Sequence, residues 1–466
     1  MTPRGKSVAA LSRAGAKEAN AFQKCIGPGC GREHDLNERV YVCAECGASL
    51  EISVPKPALK DAAGLRDLWE SRRRSLDSLD RSGVWRFREL LPFAGAAPVV
   101  TLLEGNTPLY DAPRSAAYSK LDSLRLKHQG CNPTGSFKDT GMTAAVTQAV
   151  VLRARTVVCA STGNTAASLA AYAARAGLRS AILLPHGQIS SSKLAQSVDY
   201  GAAVREIDGN FDDCMKLIRE LGGDPSIYVA NSINPFRIEG QKTVAFELIE
   251  QCAWRVPDHV VVPGGNLGNS SALGKGFSEL LQLGLIRRLP RLSVIQAEGA
   301  APLAHLFASL AAGGRAMKEN LPEEIMPVAN PKTLATAIKI GSPVSWKKAL
   351  RSILESGGSV ITVSEQEIAD AKAVIGRDGI GCEPASATTV AGIRRLAVAG
   401  LIRPHDDVVA VLTGHILKDP DYVSHYHRGT LASEAGGPPI SGAFRNQPQR
   451  VAATKEAVLR SLEGLE

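Results

Sequence analysis

Short apolar runs alternating with longer segments of helical periodicity constrain this chain more than any other feature. Residues 124–128, 156–160, 180–184, 204–207 and 227–230 read as buried strands, and 259–262, 292–297, 359–363 and 408–412 continue the theme. Helical patterns lie between them, such as the alanine-rich 165–176 and the stretch 212–221. Parallel strands need long crossovers, and helices supply them while covering both faces of the sheet. The expected fold class is therefore α/β, with two doubly wound parallel-sheet domains. In such sheets ligands bind beyond the carboxyl ends of the strands. The polar turns that follow the apolar runs are then the places to look for chemistry.

A chain of 466 residues is too long for one simple core. Three regions are expected: 1–57, ending at the proline-bearing 54–57; 58–240; and 241–466. Residues 58–88 are charged, with Leu65, Leu68, Trp69, Leu76 and Leu79 at helical spacing. A tail from residue 435 is rich in glycine and proline and closes in a helical pattern over 452–465. The first twenty residues are basic and alanine-rich. They lack the apolar core of a secretory signal and could pass for a transit peptide, but read first as a disordered tail. The net charge of +8 is dispersed, its longest basic run being Arg72-Arg73-Arg74, which suits anionic small ligands and not nucleic acid. No apolar stretch is long enough to span a bilayer. Nine cysteines in so long a chain are no disulfide framework, so a reducing cytoplasm is expected.

The most informative turn is Asn132-Pro133-Thr134-Gly135-Ser136-Phe137-Lys138-Asp139, which leads from a strand into a helix. Lys138 then sits in the first helical turn, where the positive dipole end favours the neutral amine. A neutral amine attacks carbonyls and forms Schiff bases. A lysine at a helix start is ordinarily a solvated charge, and the turn around it shifts the reading. A second turn, Ser161-Thr162-Gly163-Asn164-Thr165, pairs a glycine bend with an amide able to donate to an oxyanion, or simply caps a helix. A third, Gly264-Gly265-Asn266-Leu267-Gly268-Asn269, offers consecutive N–H groups at a helix start, a nest for an anion such as phosphate. Its order is not that of a dinucleotide loop. The stretch 231–243 brings Asn231, Ser232 and Arg237, and arginine suits bidentate recognition of phosphate or carboxylate. Thr413 closes the final strand.

In this order on strand ends, the segments resemble the pyridoxal-phosphate enzymes that include threonine synthase, threonine dehydratase and cysteine synthase. The stretch 126–142 resembles the threonine synthase family specifically, and the likeness covers most of 98–425. It implies that Lys138 carries pyridoxal 5'-phosphate between the two sheet domains. Asn164 would contact the phenolic oxygen, and Gly265, Asn266, Leu267, Gly268 and Asn269 would cradle the cofactor phosphate. Thr413 would lie against the ring nitrogen, where a hydroxyl does not enforce a protonated ring. Asn231, Ser232 and Arg237 would hold a substrate phosphate, with Ser161 and Thr165 sharing it. The stretches 331–338 and 382–387 would line the same side, and Lys193 lies in a similar segment without a role. Ile416 departs from the glycine such sequences often carry. The implied reaction is conversion of O-phospho-L-homoserine and water to L-threonine and phosphate by a homodimer. Cysteate synthase, threonine dehydratase and a non-catalytic, cofactor-holding regulatory protein are the alternatives, and intact Lys138, Asn164 and Thr413 argue against the last.

Cys25 and Cys30 are separated by four residues, and Cys43 and Cys46 by two. Four thiolates from two such turns close a tetrahedral zinc site, and metal would supply the folding energy that so small a region lacks. The arrangement resembles the zinc ribbon at the start of some threonine synthases. The competing reading is a metal-free remnant. No basic and aromatic patch accompanies the cysteines, so nucleic acid is not an expected partner.

Overall fold

A computed structural model of the chain describes residues 21–55, 62–93, 97–187, 191–312, 322–432 and 439–463. The basic first twenty residues, the boundary expected near residue 57 and the first residues of the glycine- and proline-rich tail lie outside them. Three short strands come first: β1 (Phe22–Cys25), β2 (Glu33–Asp35) and β3 (Leu50–Ser53). They form an antiparallel sheet of order β2-β1-β3. The body then contributes β4 (Leu109–Asp111), β5 (Arg125–His128), β6 (Thr156–Ala160), β7 (Arg179–Pro185), β8 (Ala203–Ile207), β9 (Ile227–Val229), β10 (His259–Pro263), β11 (Arg291–Ala297), β12 (Val360–Val363) and β13 (Val408–Leu412).

These strands build two sheets. The larger has the order β12-β11-β10-β13-β5-β4 and the smaller β8-β7-β6-β9. Every pairing is parallel except that of the edge strand β4 with β5. The segment 58–240 thus feeds both sheets, because β4 and β5 join the larger one, where β5 pairs with β13, while β6 to β9 form the smaller. The helix Lys138–Val151 carries the chain from β5 in the larger sheet to β6 in the smaller. Ligand-bearing strand ends of both sheets consequently face one cleft.

Local chemistry explains the elements. Alanine dominates the helix Asn164–Ala176, whose Leu169, Ala170 and Tyr172 are buried, and the helix stops at Gly177 in the left-handed conformation (φ +70°). The region 58–88 is less regular than its periodicity predicts. Leu65 and Trp69 are buried, but the helix Ala62–Arg73 ends before Leu76, which is 90% exposed. Trp69 instead anchors an aromatic core, meeting Phe87 edge-on at 5.0 Å and stacking on Phe246 at 6.2 Å. Each such ring adds roughly 1.5–3 kcal/mol on burial. The closing helix runs Lys455–Leu462 and so starts three residues later than expected, and the end of the expected 452–465 lies outside the described residues.

The cysteine-bearing sheet docks on the body through backbone carbonyls. Lys348 Nζ donates to Leu50 and Lys275 Nζ to Ile52, each at 2.5 Å. Arg39 donates to the carbonyls of Pro225 and Leu152. Among the described residues no helix is long and apolar enough to cross a membrane.

Candidate active site

The lysine turn is clasped between strand ends. Phe137 N–H donates to the Thr413 carbonyl at 2.9 Å, and His415 N–H to that of Gly135 at 2.9 Å. Gly135 adopts φ +83°, a conformation that glycine alone enters without strain. Asp139, buried in the first helical turn, accepts from Thr134 N–H (2.7 Å), Thr134 Oγ1 (2.6 Å) and Ser168 Oγ (2.6 Å). Ser168 belongs to the Asn164 helix, so one carboxyl ties both helix starts together. Lys138 is half-buried and opens onto the cleft, its Nζ 3.7 Å from the Phe137 ring centroid. Burial, helped by the charges of Arg237 and Lys418 and opposed by Glu383, lowers the amine to about 7. Near neutrality a large fraction is therefore nucleophilic.

Asn164 and Thr413 converge on one carboxyl. Asn164 Nδ2 donates to Glu383 Oε2 at 2.9 Å, and Thr413 Oγ1 lies 3.2 Å from Glu383 Oε1. Burial pushes the Glu383 carboxyl up. A Cβ on Gly414 would stand 2.3 Å from Glu383 Cδ, so the residue after Thr413 has no room for a side chain.

The glycine loop follows β10 and starts the helix Gly268–Gln282. Leu267 adopts φ +64°, which turns the chain into the helix. A Cβ at Gly265 would approach Ile338 Cα to 3.1 Å. Asn266 Nδ2 donates to Ser232 Oγ at 3.0 Å and Asn266 Oδ1 accepts from Val344 N–H at 2.8 Å. Asn269 Nδ2 is buried without a protein partner. A buried orphan donor at a helix N-terminus fits a phosphate.

A second orphan donor is Arg237 Nε, on a buried side chain whose Nη1 donates to the Ala230 carbonyl at 3.2 Å. Burial lowers this guanidinium to about 10. An uncompensated buried cation calls for an anionic guest. Every residue that the sequence assigned to cofactor or substrate lines one cavity of about 2330 Å³. Asn231, expected as a phosphate ligand, lines the cavity and also has a bracing role. Its amide pairs with both backbone groups of Ala160, at 3.0 and 3.1 Å, and joins the ends of β6 and β9.

Residues 100–414 match the family described as pyridoxal-phosphate dependent enzyme. A threonine synthase of Methanocaldococcus jannaschii is 45% identical over 401 residues, covering 86% of this chain and 93% of that one. The chain belongs to the threonine synthase family. A threonine synthase of Mycobacterium tuberculosis is 47% identical over 337 residues, 72% of this chain and 88% of the other. In fold, the chain resembles a fungal L-serine ammonia-lyase from Rhizomucor miehei, with a TM-score of 0.59 at 22% identity over 70% of this chain and 99% of that one.

The family's cofactor is pyridoxal phosphate, and the orphan amide of Asn269, the tight glycine loop and the lowered lysine fit it. Glu383, Ser386 and Lys418 are site residues that the sequence left without roles. Ser386 Oγ lies 3.1 Å from Thr413 Oγ1, and Lys418 Nζ donates to Gln196 Oε1 across the cleft. Only the stretch 382–387 hinted at the first two.

Away from the cleft, the Sγ atoms of Cys25, Cys30, Cys43 and Cys46 lie within 4.8 Å of one another. The N–H groups of Cys46 and Glu45 push the Cys43 thiol down to about 6. Four clustered thiols with one poised to ionise fit a tetrahedral metal site.

Proposed function

We propose that the chain converts O-phospho-L-homoserine and water to L-threonine and phosphate, using pyridoxal 5'-phosphate in the cleft. The observation that carries this reading is the Lys138 amine, lowered to about 7, sharing one cavity with the buried, unpaired Nε of Arg237. When bound, the cofactor supplies an electron sink for carbanions formed on the substrate. Lys138 attaches the cofactor in the resting enzyme and, once displaced, takes the Cα proton and moves protons among Cα, Cβ and Cγ. Residues Gly265, Asn266, Leu267, Gly268 and Asn269 hold the cofactor phosphate, Asn164 the phenolic oxygen and Thr413 the ring nitrogen. Arg237 and Ser232, with Ser161 and Thr165, hold the phosphate that leaves from Cγ. Asn231 positions Ser161 by fixing the end of β6.

Zinc on Cys25, Cys30, Cys43 and Cys46, a homodimeric state and a cytoplasmic setting complete the reading. The test is to mix the purified, cofactor-loaded protein with O-phospho-L-homoserine and follow both products. Equal release of threonine and phosphate supports it. Turnover only of phosphoserine with sulfite, or only of threonine to an oxoacid and ammonia, would replace it.

A further inference from the structure

The hydrogen bonds around Thr413 can be assigned a direction one by one. Ser386 Oγ accepts the backbone N–H of Thr413 at 2.8 Å and of Gly414 at 3.1 Å. A hydroxyl oxygen has two lone pairs, so both are engaged. The Ser386 proton then points to its remaining neighbour, Thr413 Oγ1, at 3.1 Å. Thr413 Oγ1 is left with one proton and one lone pair. Glu383 Oε1, 3.2 Å away, competes for one of them. Its other oxygen accepts from Asn164 Nδ2 and so cannot carry a proton in that direction.

Two arrangements remain. An ionised Glu383 takes the Thr413 proton and leaves a lone pair facing the cavity. A protonated Glu383 donates into that lone pair and turns the Thr413 proton outward. Glu383 is only 2% exposed. The charged and titratable groups around it are Lys138, Lys418, Asp419 and Cys382, and no cation forms a hydrogen bond with its carboxyl among the described residues. Burial, with Asp419, favours the neutral acid and outweighs the Asn164 hydrogen bond, Lys138 and the Thr413 contact, which favour the ionised form.

We propose that Glu383 is a positioning residue which, as a carboxylic acid, donates to Thr413 Oγ1 and makes the Thr413 hydroxyl a donor to the pyridine nitrogen of the cofactor, keeping that nitrogen unprotonated. This rests on the reading that Thr413 faces the ring nitrogen. The carboxyl proton stays on Glu383 and the hydroxyl proton on Thr413, and no covalent bond changes. The ring nitrogen is then a hydrogen-bond acceptor, and the cofactor a weaker electron sink than a protonated ring. Such a sink favours elimination and replacement over transamination. Glu383 would thus set reaction type without touching the substrate.

The test loads the protein with pyridoxal phosphate carrying an NMR-active label at the ring nitrogen and follows that signal against pH, with no turnover required. In the wild type the nitrogen reads as unprotonated near neutrality. Glu383→Gln, whose amide also donates to Thr413, gives the same signal. Glu383→Ala frees the Thr413 lone pair to accept from a protonated ring and raises the half-protonation pH by about one unit, the worth of one hydrogen bond. Glu383→Asp, which withdraws the carboxyl by one methylene, gives the same rise and serves if the alanine variant does not fold. A nitrogen protonated in the wild type but not in Glu383→Gln shows an ionised Glu383 and overturns the proposal. So does a signal that neither Glu383→Ala nor Glu383→Asp shifts. Thr413→Val separates the two levels. If it leaves the nitrogen unchanged, Thr413 does not face the ring and the underlying assignment fails. If it shifts the nitrogen while the Glu383 variants do not, only the role of Glu383 falls.

Discussion

The cleft and the cysteine module each present groups arranged for a partner the chain does not encode, and they assemble them differently. The module draws its thiols from one short segment, Cys25 to Cys46, folded on three strands of three or four residues. The cleft draws Lys138 and Thr413 from the ends of β5 and β13, Asn164 from the smaller sheet, and the glycine loop from β10. The module has little core of its own, Cys25, Cys43 and Leu50 being its buried cluster. The cleft rests on the buried strands of two sheets. A site on a small module needs its ligand to hold its shape, whereas a site on packed sheets is preformed and only waits for one.

Lys138→Ala tests that contrast most severely. Threonine formation should fall by at least ~10³-fold, and the visible band of lysine-bound cofactor should vanish. The far-ultraviolet dichroism and the metal content should not change. A collapsed fold would show that the cleft is not preformed.

Arg237→Gln should lower kcat/KM for the phosphorylated substrate by about 10²-fold, or ~3 kcal/mol, because a buried charge–phosphate contact is lost. Cofactor absorbance should persist. An unchanged kcat/KM would move the substrate phosphate elsewhere.

Cys43→Ser should reduce bound zinc from about one ion per chain to none and lower the thermal midpoint by a few degrees. If the two regions are independent in chemistry, the cofactor band survives. Its loss would show that docking of β3 through Lys275 and Lys348 transmits to the cleft.

The smallest effect concerns that docking. Burial acts to raise Glu51, but Lys275, Arg351 and Lys348 together outweigh it and hold the carboxyl down at about 2. A depressed carboxyl stabilises the fold above its ordinary value of 4.5, and the contribution fades as pH falls towards 2. Glu51→Gln should therefore be less stable than the wild type by about 1 kcal/mol at neutral pH and equal to it at the acid end. Denaturant midpoints measured across that range give the answer.

Much of the site was legible because its turns carry chemistry locally. Lys138, Asn164, residues 265–269 and Thr413 all stand in polar turns after apolar runs, and all line one cavity. The contacts of Glu383 were not legible, although its stretch was. This residue is a glutamate before a helix-starting proline, 219 residues from Asn164, and nothing in its neighbours marks it as buried. The bracing of β6 by Asn231 was not legible, because an amide after a strand serves equally to bind an anion or to join two strand ends. Leu76 misled because periodicity continued where the helix had already ended. The edge strand β4, three residues long and largely exposed, has too little apolar pattern to be noticed.

What the sequence determined by itself was the kind of element at each place and the chemistry at its end, since side-chain period and turn composition act over a few residues. The tertiary structure alone decided that β5 lies beside β13, that Lys138 therefore meets Thr413, and that Glu383 closes the gap between Thr413 and Asn164. Strand order comes from pairing between distant segments and from shared burial, and no local pattern encodes either.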